Sequence, residues 1–358
     1  MGYEIDFLPV GDAKSGDAIA LRIGDLTGGD GSDVFVAIID GGFASSGSSV
    51  VEHVVNVYGT SRVDLVISSH LDDDHIAGLT TILRELDIGE LWMHEPPSAQ
   101  QEALVAAAEQ EVSGVARDRL YAITASIQQS QSLYDLARDR GIPVVAPVEG
   151  MTAGGGAVTV LGPSEDYYRS LLKRFRGYKQ SQSVASMVAS AVEQKTGKPI
   201  TETLEDEKLE EGAATGPENN SSVILKVEVD SHATILTADA GEEALGRAAD
   251  YLDGIGFDWG RLGAIQVPHH GSKNNVTPSI LTRILGPKGT VEPTRMAYVS
   301  CAPSGEPHHP SKRVTNAFHR RGCRVFKTAG KKVRHSFGAP GREGYSEATE
   351  VPFYREVD

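Results

Sequence analysis

The stretch SSHLDDDHIAG, residues 68–78, places Asp72, Asp73 and Asp74 between His70 and His75. Three adjacent carboxylates repel one another unless positive charge sits among them. Neutral imidazoles and carboxylates are ligands suited to Zn²⁺, Mn²⁺ or Fe, so a divalent cation supplies that charge. His70 and Asp72 alternate and can point the same way off an extended turn, and Asp74 and His75 follow at the start of a helix. Asp73 is read as a helix-start residue facing solvent.

Other acids and histidines recur directly after apolar runs of strand length. Asp40 ends VAIID, Asp239 follows TILTA, His269 and His270 follow AIQVP, and His308 and His309 follow YVSCAPSGEP. Strand ends at one edge of a sheet can bring distant segments to one site. Asp239, with two oxygens to share, suits a bridge between two cations about 3.5–4 Å apart. Ser272 and Lys273 follow the His pair as candidate phosphate contacts, and Gly271 allows close backbone approach there. His53, His232 and His319 are read as surface residues, and His94, in WMHEPP, is left open.

The elements that must position these groups come in two blocks. YEIDFLPV, DAIALRIG, VFVAIIDGG and VDLVISS read as strands in the first block; SSVILKVEV, HATILTADAG, LGAIQVPHHG, RMAYVSCAP and CRVFKTAG form the second. Helical patterns sit between them, as in SSVVEHVVNVYG, AGLTTILRELD, EEALGRAADYLDGIG and SKRVTNAFHRRG. Two packed sheets with outer helices, an αββα sandwich in the α/β class, fit this order better than simple βαβ winding. The expected organisation is one domain over 1–340. It carries a helical insertion at 98–141, a helical and flexible acidic insertion at 165–218, and a C-terminal tail at 341–358.

The chain of 358 residues has 40% apolar and 23% charged residues, the balance of a soluble globular protein. No stretch approaches the length of about 20 apolar residues that spans a bilayer, and MGYEIDFLPVGD has neither part of a signal peptide. Two cysteines, Cys301 and Cys323, are too few for a disulfide framework and read as reduced thiols. A cytoplasmic location and no membrane partner are the expectations. A net charge of −15 argues against a general nucleic-acid coat protein. Yet residues 307–340 hold no acid, and SKRVTNAFHRRGCRVFKTAGKKVRH carries nine Lys or Arg, a strip that could steer a phosphate-bearing substrate.

Together these motifs resemble the metallo-β-lactamase fold. SHLDDDHIAGL is similar to its His-x-His-x-Asp-His signature, with Asp72 in place of the second His. That form resembles the metallohydrolase domain of the bacterial DNA-uptake protein ComEC and its free-standing relatives. KSGDAIAL, IIDGG, NNSSVIL, LTADA, PHHGS and HHPS match further elements in the same order, from about residue 3 to residue 330. The resemblance implies a dinuclear site holding two divalent ions, Zn²⁺ or Mn²⁺, at the upper edge of the sheets. His70 and Asp72 would hold one metal, Asp74 and His75 the other, Asp239 would bridge, and one of His269 and His270, with His270 favoured, would complete the second. Asn220 stands where the usual third-motif His is found, and Ala238 replaces the usual Gly before the bridging Asp.

The implied activity is hydrolysis by metal-activated hydroxide, with a phosphodiester, possibly nucleic acid, as substrate. Asp74 would orient or deprotonate water, and His269 and His309 would contact a phosphoryl oxygen or the leaving group. Asn220, Ser272, Lys273 and His309 would bind substrate, and Asp40 and Gly271 would support the site. Two alternatives stand beside this: a hydrolase of a small ester, lactone or amide, and a non-catalytic interaction module meeting a protein partner through the insertions.

Overall fold

The computed structural model describes residues 1–28, 33–96, 114–175, 200–289, 294–304 and 309–357. Two seven-stranded mixed sheets face each other. The first runs in the order β15 (Val333–Phe337), β1 (Gly2–Phe7), β2 (Ala18–Gly24), β3 (Phe35–Gly41), β4 (Arg62–Ile67), β5 (Asp87–Trp92) and β6 (Val144–Val145). The second runs β14 (Cys323–Lys327), β13 (Arg295–Val299), β12 (Leu262–Gln266), β11 (His232–Leu236), β10 (Ile224–Val229), β8 (Val158–Gly162) and β7 (Thr152–Ala153). In each sheet one half is antiparallel and the other parallel, the parallel halves being β3 to β6 and β11 to β14. A short third pair joins β9 (Ile200–Thr201) to β16 (Glu356–Val357).

Side-chain alternation builds the layers. Tyr3, Ile5 and Phe7 of β1 and Ile19, Leu21 and Ile23 of β2 point inward against Val160, Leu225, Val227 and Tyr298 of the facing sheet. Val36 and Ile38 of β3 and Val66 of β4 point outward and pack on Val50, Ile82 and Leu83 from helices Gly47–His53 and Leu79–Glu85. Helix Glu242–Gly254 buries Ala244, Leu245, Ala248, Ala249 and Leu252, one helical stripe, on the outer face of the second sheet. This is the αββα sandwich expected from the order of motifs.

Helix Gly114–Asp139 accounts for the described part of the 98–141 insertion. It buries Leu133 and Ala137 in the outer core of the first sheet; residues 98–113 lie outside the described set, as do 176–199 of the second insertion. No helix among the described residues is long and apolar enough to cross a membrane.

Four expectations are corrected. The acidic segment after residue 200 is an ordered strap, because its carboxylates meet the basic strip. Glu202, fully buried, pairs with fully buried Arg320 at 2.9 Å, Glu207 with Arg321 at 2.7 Å, and Glu210 with Arg313 at 3.6 Å. Arg324 pairs with Glu350 at 2.9 Å, and Arg334 with Glu4. Most of the strip's guanidinium charge is therefore neutralised inside the fold, and the arginines do not form the steering surface their sequence suggested.

The C-terminal segment belongs to the domain. Val351 is buried in the core and its N–H donates to Val325 O at 2.7 Å. Arg342 covers the outward face of β1, bonding Asp6 Oδ1 at 2.7 Å and Glu4 Oε2 at 2.8 Å. His53 is likewise fully buried, with Nε2 3.2 Å from Asp6 Oδ2, because Asp6 and Tyr58 enclose it; His319 is half-buried and His232 exposed.

A pH prediction follows from this clamp. Burial alone would raise the Asp6 carboxyl, but His53 and Arg342 pull it down from 3.8 to about 2. A depressed folded-state value contributes stability above pH 3.8 that is lost as pH falls through about 2. Its size is about 2 kcal/mol. Urea unfolding of wild type and Asp6→Asn between pH 4.5 and 2 should show the two stability curves converging on acidification; parallel curves would remove Asp6 as the source.

Candidate metal centre

The site forms where strand ends and turns of both sheets meet. Asp40 is the penultimate residue of β3, β4 runs into His70, Asp72, Asp74 and His75, β11 ends before Asp239, and β12 ends before His269 and His270. Several of these residues sit in the left-handed region that non-glycine residues seldom occupy: Asp40 at φ 58°, Ala238 at 44°, His269 at 47° and His270 at 54°. Ala238 thus adopts the backbone shape for which glycine is the easy residue. Gln266 pins that turn, its Oε1 accepting from the N–H groups of Thr237 at 2.9 Å and Ala238 at 3.0 Å. Two consecutive left-handed residues turn both imidazoles of the His pair into the site, with rings 88° apart.

Asp239 is the centre, and its two oxygens face different neighbours. Oδ1 lies 3.3 Å from His75 Nε2 and 3.9 Å from His270 Nε2, and His270 Nε2 lies 3.4 Å from Asp74 Oδ2. Oδ2 lies 3.8 Å from His70 Nε2 and 3.5 Å from His269 Nε2, and His70 Nε2 lies 3.6 Å from Asp72 Oδ2. The Asp239 backbone is held by Asn275, which donates to its carbonyl at 2.8 Å, and by Ser222 Oγ, which accepts its N–H at 3.2 Å.

The outer ring nitrogens of three histidines are already engaged. His75 Nδ1 donates to Asp40 Oδ2 at 2.7 Å, and His270 Nδ1 donates to the Ser300 carbonyl at 3.0 Å. Ser69 Oγ donates to Asp40 Oδ2 at 2.5 Å, leaving its lone pair to accept from His70 Nδ1 at 3.1 Å. With Nδ1 donating outward, a neutral ring carries its free lone pair on Nε2, the tautomer of a metal ligand. Asp40, read from the sequence as a support, does that for two of the three.

Whether these residues fit a metal is answered by what they leave unsatisfied. His70 Nε2, His75 Nε2, His270 Nε2, Asp239 Oδ1 and Asp17 Oδ1 are all buried and without a hydrogen bond. Orphaned buried polar atoms are costly, and five of them converging on one place fit divalent cations. The charges of the protein without metal say the same. Burial opposes charge on the imidazoles, yet the Asp239 and Asp40 carboxylates hold His75 well above its ordinary value, and Asp239 with Asp74 raises His270 to about 9. Burial would raise Asp74, but His270 and His75 pull it to about 2.

Asp17, the fourth residue of KSGDA, joins the cluster although the sequence alone does not mark it as a site residue. It is buried, bonds Gln266 Nε2 at 2.9 Å, and burial raises its pKa. Nothing in a Gly-Asp-Ala turn before a strand distinguishes it from a turn former; only the packing of Gly16 against the Asp74 backbone brings it under the site.

Asn220 does not face the centre. Its side chain bonds Gly241 N–H at 3.1 Å and the Thr215 carbonyl at 3.3 Å, bracing the loop. Its neighbour Asn219 faces the centre instead, with Nδ2 3.4 Å from Asp239 Oδ2 and 2.8 Å from His269 Nδ1. One residue of rotation in the short helix Pro217–Asn220 decides between them.

Ser272 is buried and its hydroxyl accepts from the Asn274 N–H at 3.4 Å, so it serves its own turn; Lys273 is exposed. Gly271, at φ 85°, approaches Pro310 so closely that a Cβ would lie 2.4 Å from the proline ring. This seats His309 beside the pair, its ring centroid 6.1 Å from His269 and 6.4 Å from His270. Asp73 is exposed. His94 stacks on Tyr168 at 3.6 Å, lines a small cavity together with His70, and is lowered by burial to about 3.

No protein-family model matches this chain, and no curated protein matches it. Among solved structures it is similar to a metal-dependent hydrolase of the beta-lactamase superfamily, at 13% identity and TM-score 0.44, over 92% of this chain and 98% of that one. It is also similar to a diphosphatase from the PhnP family, at 10% identity and 0.41, over 94% and 98%, and to a metallo-beta-lactamase, at 11% and 0.32, over 78% and 84%. These likenesses are low, and the chemistry of this chain rests on its own site.

Proposed function

We propose that this protein is a metal-dependent hydrolase of the metallo-β-lactamase type, with two divalent cations, acting on a small phosphodiester. The division of donors between the two oxygens of Asp239 carries this reading. His75, His270 and Asp74 would hold one cation, His70 and Asp72 the other, and Asp239 would bridge. A set rich in carboxylates makes Mn²⁺ a rival to Zn²⁺. Bound there, the cations supply Lewis-acid polarisation of the electrophile and a water acidic enough to act as nucleophile at neutral pH.

The chain's own groups do the rest. Asp74 keeps its carboxylate ionised and is placed to orient an attacking water. Asp40 and Ser300 hold His75 and His270 with their Nε2 lone pairs turned inward. His269 and His309 stand on the more open side, where a substrate oxygen would arrive; the His269 side chain is 31% exposed, against 3% for His270.

The neutralised arginines favour a small diester over a nucleic acid. With Zn²⁺ or Mn²⁺ added, turnover of bis-(p-nitrophenyl) phosphate should change little with ionic strength. DNA cleavage that falls steeply with salt would restore the nuclease reading. Hydrolysis of p-nitrophenyl acetate without that of the diester would move the substrate to the small esters. A chain that takes up no metal would be an interaction module instead.

A further inference from the structure

Among the described residues four histidines reach Asp239, and their hydrogen bonds divide them. His70, His75 and His270 each pass the Nδ1 proton to an acceptor, as described above. His269 is the exception, because its Nδ1 meets Asn219 Nδ2 at 2.8 Å, and an amide nitrogen can only donate. The orientation of that amide is set by its second neighbour. Asn219 Nδ2 is also 3.4 Å from Asp239 Oδ2, and turning the amide over would set its oxygen against that carboxylate. With Nδ1 accepting, the proton of a neutral His269 ring lies on Nε2. A protonated Nε2 is a donor and has no lone pair for a cation.

We propose that Asn219 is a positioning residue that holds His269 as its Nε2–H tautomer. His269 thereby stays out of the metal shell and donates a hydrogen bond to a phosphoryl oxygen of the substrate. This rests on the phosphodiester reading above for the identity of the acceptor, though not for the tautomer. Position agrees: His269 is the most exposed of the four rings, and its backbone N–H is tied to the Ala238 carbonyl at 3.0 Å, which fixes it on the rim of the bridging carboxylate. The strap from Glu202 to Asn219 then has a second consequence, since it delivers the amide that sorts the histidines.

Long-range proton–nitrogen spectra of zinc-loaded protein labelled with ¹⁵N-histidine test the tautomer, with His269→Gln identifying the signals. His269 should show a protonated Nε2 and a bare Nδ1, opposite to His75 and His270. Asn219→Asp, whose carboxylate can only accept, should reverse it. A protonated Nδ1 in the wild type, or no change in Asn219→Asp, overturns the proposal. Metal analysis adds an independent arm: His269→Gln should keep the wild-type zinc content while His270→Gln loses zinc, and loss in His269→Gln would make that ring a ligand.

Inorganic phosphate, titrated calorimetrically into zinc-loaded protein, tests the donor role. His269→Gln and Asn219→Ala should each weaken binding roughly tenfold, as for one hydrogen bond to a charged group. The double variant should be no weaker than His269→Gln alone, since Asn219 acts through that ring. Additive or absent losses overturn the role. A wild type that takes up zinc but binds no phosphate would sink the phosphodiester reading, while the spectra still decide the tautomer.

Discussion

Asp239→Asn protein is expected to fold, to lose metal and to be inactive. The substitution keeps the shape and both backbone anchors, Asn275 on the carbonyl and Ser222 on the N–H. What goes is the charge and one of two equivalent oxygens. An amide nitrogen would then face either the His75 and His270 donors or those of His70 and Asp72, and neither side can use it as a ligand. Phosphodiester turnover should fall on the order of 10³-fold or more, because cation positioning and the polarisation it provides are lost together. Metal content by mass spectrometry should fall from about two per chain in the wild type. A variant that keeps full metal content and turnover would show that Asp239 is no bridge.

The second large effect is on stability. Glu202 and Arg320 are both fully buried, and Arg320 also donates to the carbonyls of Leu204, Thr203 and Asp206, while Asn316 bonds the other Glu202 oxygen. Removing one partner leaves a buried charge alone. Glu202→Ala should therefore cost about 3–5 kcal/mol, seen as a lower urea midpoint with an unchanged slope. Replacing both partners by apolar residues of similar size should restore part of the loss. A single variant with wild-type stability would mean that the Glu202–Arg320 pair contributes nothing to the fold. Because the strap runs on to Asn219, Glu202→Ala should also loosen that amide from His269, a local effect visible in the same histidine spectra.

Residue types and their spacing are enough for the layers and for most of the groups that meet at the candidate site. Strand-length apolar runs in two blocks are enough for two sheets, because alternation leaves each strand one face to bury and the helical stripes cover the other. His70, Asp72, Asp74, His75, Asp239 and His270 were legible because each follows a strand end, and ends of packed strands converge. β15 is not legible in the sequence, since KKVRHSF is mostly polar and is held as an edge strand by its pairing to β1.

What depends on facing comes only from contacts in the folded chain. Asn219 and Asn220 are the same residue type one position apart, and a single helical step sends one to Asp239 and the other to the loop. Asp17 resembles any turn aspartate until a strand from the other sheet sets Gln266 against it. Charge partners are equally invisible along the chain: the basic strip and the acidic segment lie about a hundred residues apart and cancel only when folded, as Arg320 and Glu202 do across 118 positions. Residue type and spacing along the chain state which chemistry is available; which atom of each side chain meets which partner is settled by contacts between segments that spacing does not encode.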